Sequence, residues 1–195
     1  MHQQVSRIFF GIDIAGFNRA DRSDYVGLVM RRTIYDALQR GLDSAGIPPE
    51  CYELLDRGDG IMTVLDHSVD IVELVHAAVP ALAASLHAHN KLAHQAHRIQ
   101  LRAALHCGQV VQDEHGYAGR DISHVFRLLD SPELRVALTK SNADMVLAMS
   151  DPVRLLMASG SSSAQPALTP VLVTTKESPA RAWFAEFASD PALSR

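Results

Sequence analysis

Asp13 stands near the end of an apolar run, "RIFFGIDIAGF", and Asp59 lies in "DRGDGIM", between two shorter apolar runs. A carboxylate at a strand end and another at a hairpin tip are groups that can hold a hard cation. Magnesium takes oxygen ligands at about 2.0 to 2.1 Å and is commonly held by one or two carboxylates, with substrate phosphates completing its shell. Two such ions about 3.5 to 4 Å apart assist displacement at phosphorus, one on the attacking oxygen and one on the leaving oxygen. The main-chain carbonyl of Ile14 offers one more ligand. A plainer reading stays open, in which Asp13 caps the loop into the first helix and Asp59 is only the turn residue of "RGDG". The two readings part on whether positions 13 and 59 meet in the fold.

The elements that would bring them together can be read from pattern. "IFFGIDI", Ile8 to Ile14, has the composition of a buried strand and ends at Gly16. From Ser23 to Ala45, Tyr25, Leu28, Val29, Ile34, Tyr35, Leu38 and Leu42 recur at helical spacing until Gly46, Pro48 and Pro49 stop the pattern. "CYELLDRGDGIMTVL" predicts a hairpin with Asp59 at its tip. A second helix carries Ile71, Val75, Val79, Leu82 and Leu86, and Pro80 should kink or restart it. "RIQLRAALHCGQVVQ" alternates as a strand, and "GYAGRDISHVFRLLDSP" runs from a glycine turn into a helix ended by Pro132. "DMVLAMS" reads as a strand with a short helix after Asp151, and "PVLVTTK" and "ARAWFAEF" as two late strands. The order β, α, β, β, α, β predicts an α+β sandwich of the ferredoxin-like, split βαβ type, one sheet with helices on one face. That topology sets the first strand beside the hairpin.

With 195 residues and 47% hydrophobic content the chain suits one domain, 1–195, with a core of about 5–158, a flexible loop 159–169 containing "SGSSSAQP", and a C-terminal strand pair 170–188. A net charge of −4, from 18 basic and 22 acidic residues in mixed order, argues against nucleic acid as a partner. Cys51 and Cys107 sit in apolar surroundings, which predicts core thiols in a reducing compartment. Asp13 interrupts the early apolar run, so no secretory signal is expected. Glu73, His76 and Pro80 interrupt the most apolar later stretch, so neither is a membrane span. These features predict a soluble, cytoplasmic protein with no attached sensor segment, regulated by partners, ligands or concentration.

The blocks "FFGIDIAGF", "DRGDGIM", "LRAALHCGQVV" and "GRDISHVFRLL", in this order, resemble the catalytic domain of the class III nucleotidyl cyclases (adenylate and guanylate cyclases), in the manner of a divergent bacterial member. The match spans roughly residues 7–130, with a weaker echo in "LVTTKESPARAWFAEF". The resemblance implies that Asp13 and Asp59, with the Ile14 carbonyl, bind two Mg²⁺ or Mn²⁺ ions. It implies further that a nucleoside triphosphate becomes a 3',5'-cyclic monophosphate and pyrophosphate, in sites shared across a head-to-tail homodimer. Arg127 falls where the family stabilises charge on the phosphates in the transition state. Phe17, Gly58 and Lys176 fall at or near nucleotide-contacting positions, although "TTKES" lacks the family's glycines.

The chain also departs from the family. Ser123 stands where an asparagine usually orients the ribose, which shortens the reach and removes a donor. Leu55 replaces a base-reading lysine, and Gly116 falls at the partner base-reading position in the shortened "QDEHGY" loop. Base selectivity is therefore not readable, while the retained carboxylates and Arg127 favour catalysis. The alternative is a degenerate, inactive cyclase-homology domain that senses nucleotide or docks a protein partner. His87, His89, His94 and His97 lack a closed zinc pattern and read as a solvated helix end and loop. His106 and Cys107, adjacent on a strand, point to opposite faces and do not pair.

Overall fold

The computed structural model describes residues 3–159, 166–174 and 179–187. Among these, one mixed sheet of eight strands runs in the order β2 (Tyr52–Asp56), β3 (Gly60–Asp66), β1 (Gln3–Ile14), β4 (Leu101–Asp113), β6 (Met145–Ser150), β8 (Ala180–Phe187), β7 (Thr169–Val173), with β5 (Gly116–Ala118) folded back on β4. The segment β2-β3-β1-β4 is the split βαβ arrangement, and it sets the first strand between the hairpin and β4. β1 is longer than the expected Ile8 start. Its polar beginning is held by antiparallel pairing with β4 from Gln3 opposite Gln112 onward, a long-range support that local composition does not reveal.

Helices cover both faces of the sheet, where the sequence pattern predicts one. The adjacent Phe9 and Phe10 point to opposite faces and are 0% and 1% exposed, so each face must be roofed. On one side α1 (Asp24–Ser44), α3 (Val79–Leu92) and α6 (Asp151–Ser159) pack on Ile8, Phe10, Ile12 and Leu105. On the other, α4 (Arg120–Leu129) and α5 (Pro132–Lys140) cover Phe9, Ala104, Val146 and Ala148. α5 is absent from the sequence-based reading, in which Pro132 ends the preceding helix. Here Pro132 opens a helix that Ser131 caps, its Oγ accepting from the Leu134 N–H at 3.3 Å.

Ser23 caps α1, and the buried stripe of that helix is Val26, Met30, Ile34, Leu38 and Leu42. Tyr25 and Leu28, expected on the apolar face, lie off that stripe and are 72% and 65% exposed. The second helix is interrupted. α2 (Ile71–Glu73) passes into a π-helical turn, Leu74–Ala78, before α3 restarts with Pro80 in its first turn. Pro80 has no N–H to give the carbonyl one turn back, and the widened turn absorbs the misfit. Within the stretch Ile71–Leu92 an 18-residue window has mean hydropathy 1.5, so by length and composition alone it could cross a membrane despite Glu73, His76 and Pro80. Its Leu74, Val79, Leu82 and Leu86 are instead buried against α1 and the sheet.

The late strand pair begins at Thr169 and ends at Phe187. Most of the expected loop 159–169, namely 160–165, and the candidate Lys176 lie outside the described residues.

Candidate active site

β1, an interior strand, delivers Asp13 near its C-terminal end, and the β2–β3 turn delivers Asp59 to the same end of the sheet. Asp13 is opposite Gly60 in the register, and the Ile14 N–H donates to the Asp59 carbonyl at 3.0 Å. Asp13, Asp59, Arg57, Arg102, Asp130 and Arg135 share a cavity of about 270 Å³ roofed by Phe126 and Leu129 of α4. Asp13 is thus part of a carboxylate pair across two strands.

Arg102 lies directly opposite Asp13 on β4, and its guanidinium donates to Asp13 Oδ2. The two side chains are 12% and 16% exposed, so this is a largely buried ion pair. The other oxygen, Asp13 Oδ1, is buried and has no hydrogen-bond partner among the described residues. Burial pushes the Asp13 carboxyl above the usual range, Arg102 pulls it back, and the charge of Asp59 pushes it up again. An orphaned, desolvated carboxylate oxygen beside a second carboxylate is a fitting ligand for a divalent cation. Among the described residues no group of three or more His, Cys, Asp or Glu could hold a metal ion. A cation here would therefore have to complete its shell with oxygens from outside the side chains, as magnesium commonly does with phosphates.

The hairpin tip is fixed from α1. Arg31 donates to both oxygens of Asp56, at 3.0 and 2.5 Å, and to the Gly58 carbonyl, while the Gly58 N–H donates to Asp56 Oδ1 at 2.7 Å. The Arg31 and Gly58 bonds pull the Asp56 carboxyl down to about 2. Gly58 has φ +82, a left-handed turn position suited to glycine. Arg31→Ala releases the tip that carries Asp59; we expect the affinity of the Asp13–Asp59 pair for a divalent cation to fall about tenfold with little change in thermal midpoint, read by cation titration and a melt.

Gly60 is fixed more severely, since a Cβ there would run into the Ile12 carbonyl oxygen and meet the Asp13 Cα at 3.1 Å. Gly60→Ala must part β3 from β1. A loss of about 2 kcal/mol is expected in urea titration, together with the loss of any metal-dependent stabilisation.

Arg127 and Ser123 sit on α4 but do not line this cavity. Ser123 Oγ donates to the Gly119 carbonyl at 2.8 Å. The positive charge of Arg127 acts on His124, whose pKa is lowered first by burial and then by that charge. Phe17 lies beyond the strand, against Gly27 of α1. Leu55 is half-buried against the α4 face, and Gly116 opens β5 at φ +119.

His106 and Cys107 do face opposite ways. His106 Nδ1 lies 2.7 Å from Ser150 Oγ, with the His124 ring 4.8 Å away, while Cys107 packs on the α1 side as a free thiol. His87 and His89 are not merely solvated: His87 Nδ1 lies 3.1 Å from Asp144 Oδ2, and His89 Nε2 lies 3.0 Å from the His97 carbonyl.

The sequence-based reading overlooked Arg102, Arg57 and Asp130. Arg102 carried only a weak signal, since in "LRAAL" it falls on the face opposite the apolar set Leu101, Ala103 and Leu105, where a charge reads as solvated. Arg57 stacks its guanidinium 4.6 Å from the Phe126 ring centroid, a pairing that only the packing of α4 creates.

The fold is similar to that of a bacterial light-regulated adenylyl cyclase (15% identity, TM-score 0.70, covering 98% of this chain and 55% of that one). It is also similar to an adenylate/guanylate cyclase/hydrolase from Silicibacter pomeroyi (16%, 0.68, 95% and 99%). A third similar structure is the guanylate cyclase domain of RhGC from Catenaria anguillulae in complex with GTP (14%, 0.62, 94% and 97%). The chain thus spans about half the length of the first and nearly all of the other two. No protein-family model matches the sequence, and no curated protein does. At these identities the shared property is the fold, and it is that of class III nucleotidyl cyclase catalytic domains.

Proposed function

We propose that this chain is a nucleotidyl cyclase dependent on a divalent cation, converting a nucleoside triphosphate to its 3',5'-cyclic monophosphate and pyrophosphate. The observation that carries this reading is the meeting of Asp13 and Asp59 in one cavity with Asp13 Oδ1 left unpartnered. Asp13, Asp59 and the Ile14 carbonyl would hold Mg²⁺ or Mn²⁺. When bound, the metal lowers the pKa of the ribose 3' hydroxyl and offsets charge on the phosphates.

The rest of the chemistry falls to the protein. The 3' oxygen forms a bond to the α-phosphorus as the α–β phosphoanhydride bond breaks, pyrophosphate leaves, and the hydroxyl proton passes to solvent. Arg102, anchored on Oδ2, keeps Asp13 turned so that Oδ1 faces its task. Arg31 holds the Asp59 turn at its distance from β1. As the resemblance implies, Phe17 and Gly58 would flank the phosphates from the two loops, and Lys176 would meet their far end.

The resemblance implies a site shared across a head-to-tail homodimer, and Arg127, which does not line the cavity of its own chain, would supply its charge from the partner, with Ser123 toward the ribose. With Leu55 and Gly116 at the base, selection among nucleotides rests on shape rather than base-edge hydrogen bonds. We place the protein in the cytoplasm, where the triphosphates are.

The test is incubation of the protein with each triphosphate and Mg²⁺ or Mn²⁺, followed by chromatography for cyclic monophosphate. Asp59→Asn and Arg127→Ala should each be inactive alone. Mixed, they should recover about a quarter of parental activity, since half the dimers are mixed and each carries one intact site of two. No recovery on mixing would remove the shared site. A second reading, a signalling module that binds nucleotide without turnover, draws on Ser123 spending its hydroxyl on the Gly119 carbonyl. Metal-dependent nucleotide binding without product in any mixture would establish it.

A further inference from the structure

A second polar cavity, of about 380 Å³, opens at the same end of the sheet beside Ala15. Its charge is unusual for an acidic protein: Arg19, Arg22 and Arg98 line it, with Asp144 as the one lining carboxylate. Asp144 already has Asn90 Nδ2 at 2.8 Å on one oxygen and His87 Nδ1 at 3.1 Å on the other. Arg19 holds Asp21, which is about half exposed, in a solvent-facing pair that contributes little.

Arg22 is the hub. Its guanidinium donates to the carbonyls of Ala15 (3.2 Å), Gly16 (2.6 Å), Ala96 (3.2 Å) and Arg98 (2.9 Å). Its pKa is lowered first by burial and then by the charge of Arg19, against the opposing charge of Asp21. Three arginines lining one cavity at the small end of the ligand-pocket range, about 300 to 1,000 Å³, bring the charge and donor type that bind oxyanions of phosphorus.

This cavity is distinct from the one with the two carboxylates. Asp13 projects toward α4, whereas Asn90 belongs to α3 and Arg22 leads into α1, and those helices pack on the opposite face. The two are nevertheless linked, because Arg22 grips the two carbonyls that follow Ile14.

We propose that this arginine cavity is a regulatory site for a small phosphate-type anion, inorganic phosphate or pyrophosphate. The anion draws on the guanidinium that holds residues 15 and 16, and so its binding is coupled to the strand end that presents Asp13. Such an anion has two sources, the free ion or the tail of a bound triphosphate, and the structure favours the free ion because the carboxylates face away.

The test is calorimetric titration of the full chain with pyrophosphate and then phosphate, in chelator, so that neither metal nor turnover is involved. Arg98→Gln is the informative variant: its side chain is exposed, and its main-chain carbonyl still accepts from Arg22. Saturable pyrophosphate binding is expected, about tenfold weaker in Arg98→Gln at an unchanged melting temperature, weakened further by salt, and equal to the parent in Asp59→Asn. In a second titration with Mg²⁺ in place of chelator, binding should persist when a non-hydrolysable triphosphate is already bound.

No heat of binding in the parent, or an affinity unchanged in Arg98→Gln, overturns the site. Loss in Asp59→Asn in the Mg²⁺ titration, or displacement by the triphosphate, reassigns the anion to the substrate's tail and overturns the regulatory role. These outcomes are read without product formation, so they stand apart from success or failure of the cyclase assay.

Discussion

Asp59→Asn should lose cyclic nucleotide formation by about a thousandfold or more while keeping its fold, because the change removes a negative charge where a cation is needed and little else. The turn itself does not depend on the carboxylate. The Ile14 N–H bonds to the main-chain carbonyl of Asp59, and the tip is held by Arg31 on Gly58 and Asp56. An amide of nearly equal size leaves those bonds in place. The measurement is product formation in Mn²⁺ by chromatography, beside a thermal melt with and without the ion. A parental rate in Asp59→Asn, or equal stabilisation of both proteins by Mn²⁺, would remove Asp59 from the site.

Arg102→Ala should be among the most damaging single changes to stability, about 3 kcal/mol, since it strands the Asp13 carboxylate in a largely buried position. For a chain of this length that corresponds to a fall of about 6 to 12 °C in Tm. The pH dependence carries the diagnosis. Burial, the first cause, already holds the Asp13 pKa above that of the unfolded chain, and losing Arg102 removes the main influence lowering it.

A carboxyl with a raised native pKa binds more protons folded than unfolded, so stability falls as pH rises through the window between the two values. The Arg102→Ala penalty should therefore be largest near about pH 7 and shrink as pH falls toward about 4. In the double variant with Asp13→Asn the loss should be well below the sum of the two single changes. Urea titrations at the two pH values decide the matter, and a penalty under about 1 kcal/mol that does not change with pH would show that Asp13 is not stranded.

Much of this site was legible because its two acids sit where local pattern is strongest. Asp13 ends a run too apolar for a surface strand, and Asp59 occupies a turn that its two flanking glycines announce. The split βαβ order then follows from the succession of elements. What stayed hidden depends on pairing across long sequence separations. Arg102 is 89 residues from the carboxylate it holds, and nothing near it in sequence names its partner. Pro132 reads as a stop, yet after a capping serine it is a start. The two adjacent phenylalanines of β1 did signal two roofed faces, a cue that the split βαβ template overrode.

The π-helical turn has one further consequence. Gly41 of α1 has no side chain, and a Cβ there would come within 2.7 Å of the Ala78 carbonyl at the end of that turn. The two helices thus touch main chain to main chain at this crossing. α1, 21 residues and about 32 Å long, runs from that contact back to Ser23, the neighbour of Arg22. One continuous helix therefore joins the widened turn to the loop behind Asp13, and a side chain larger than hydrogen at position 41 would have to push that helix off the turn.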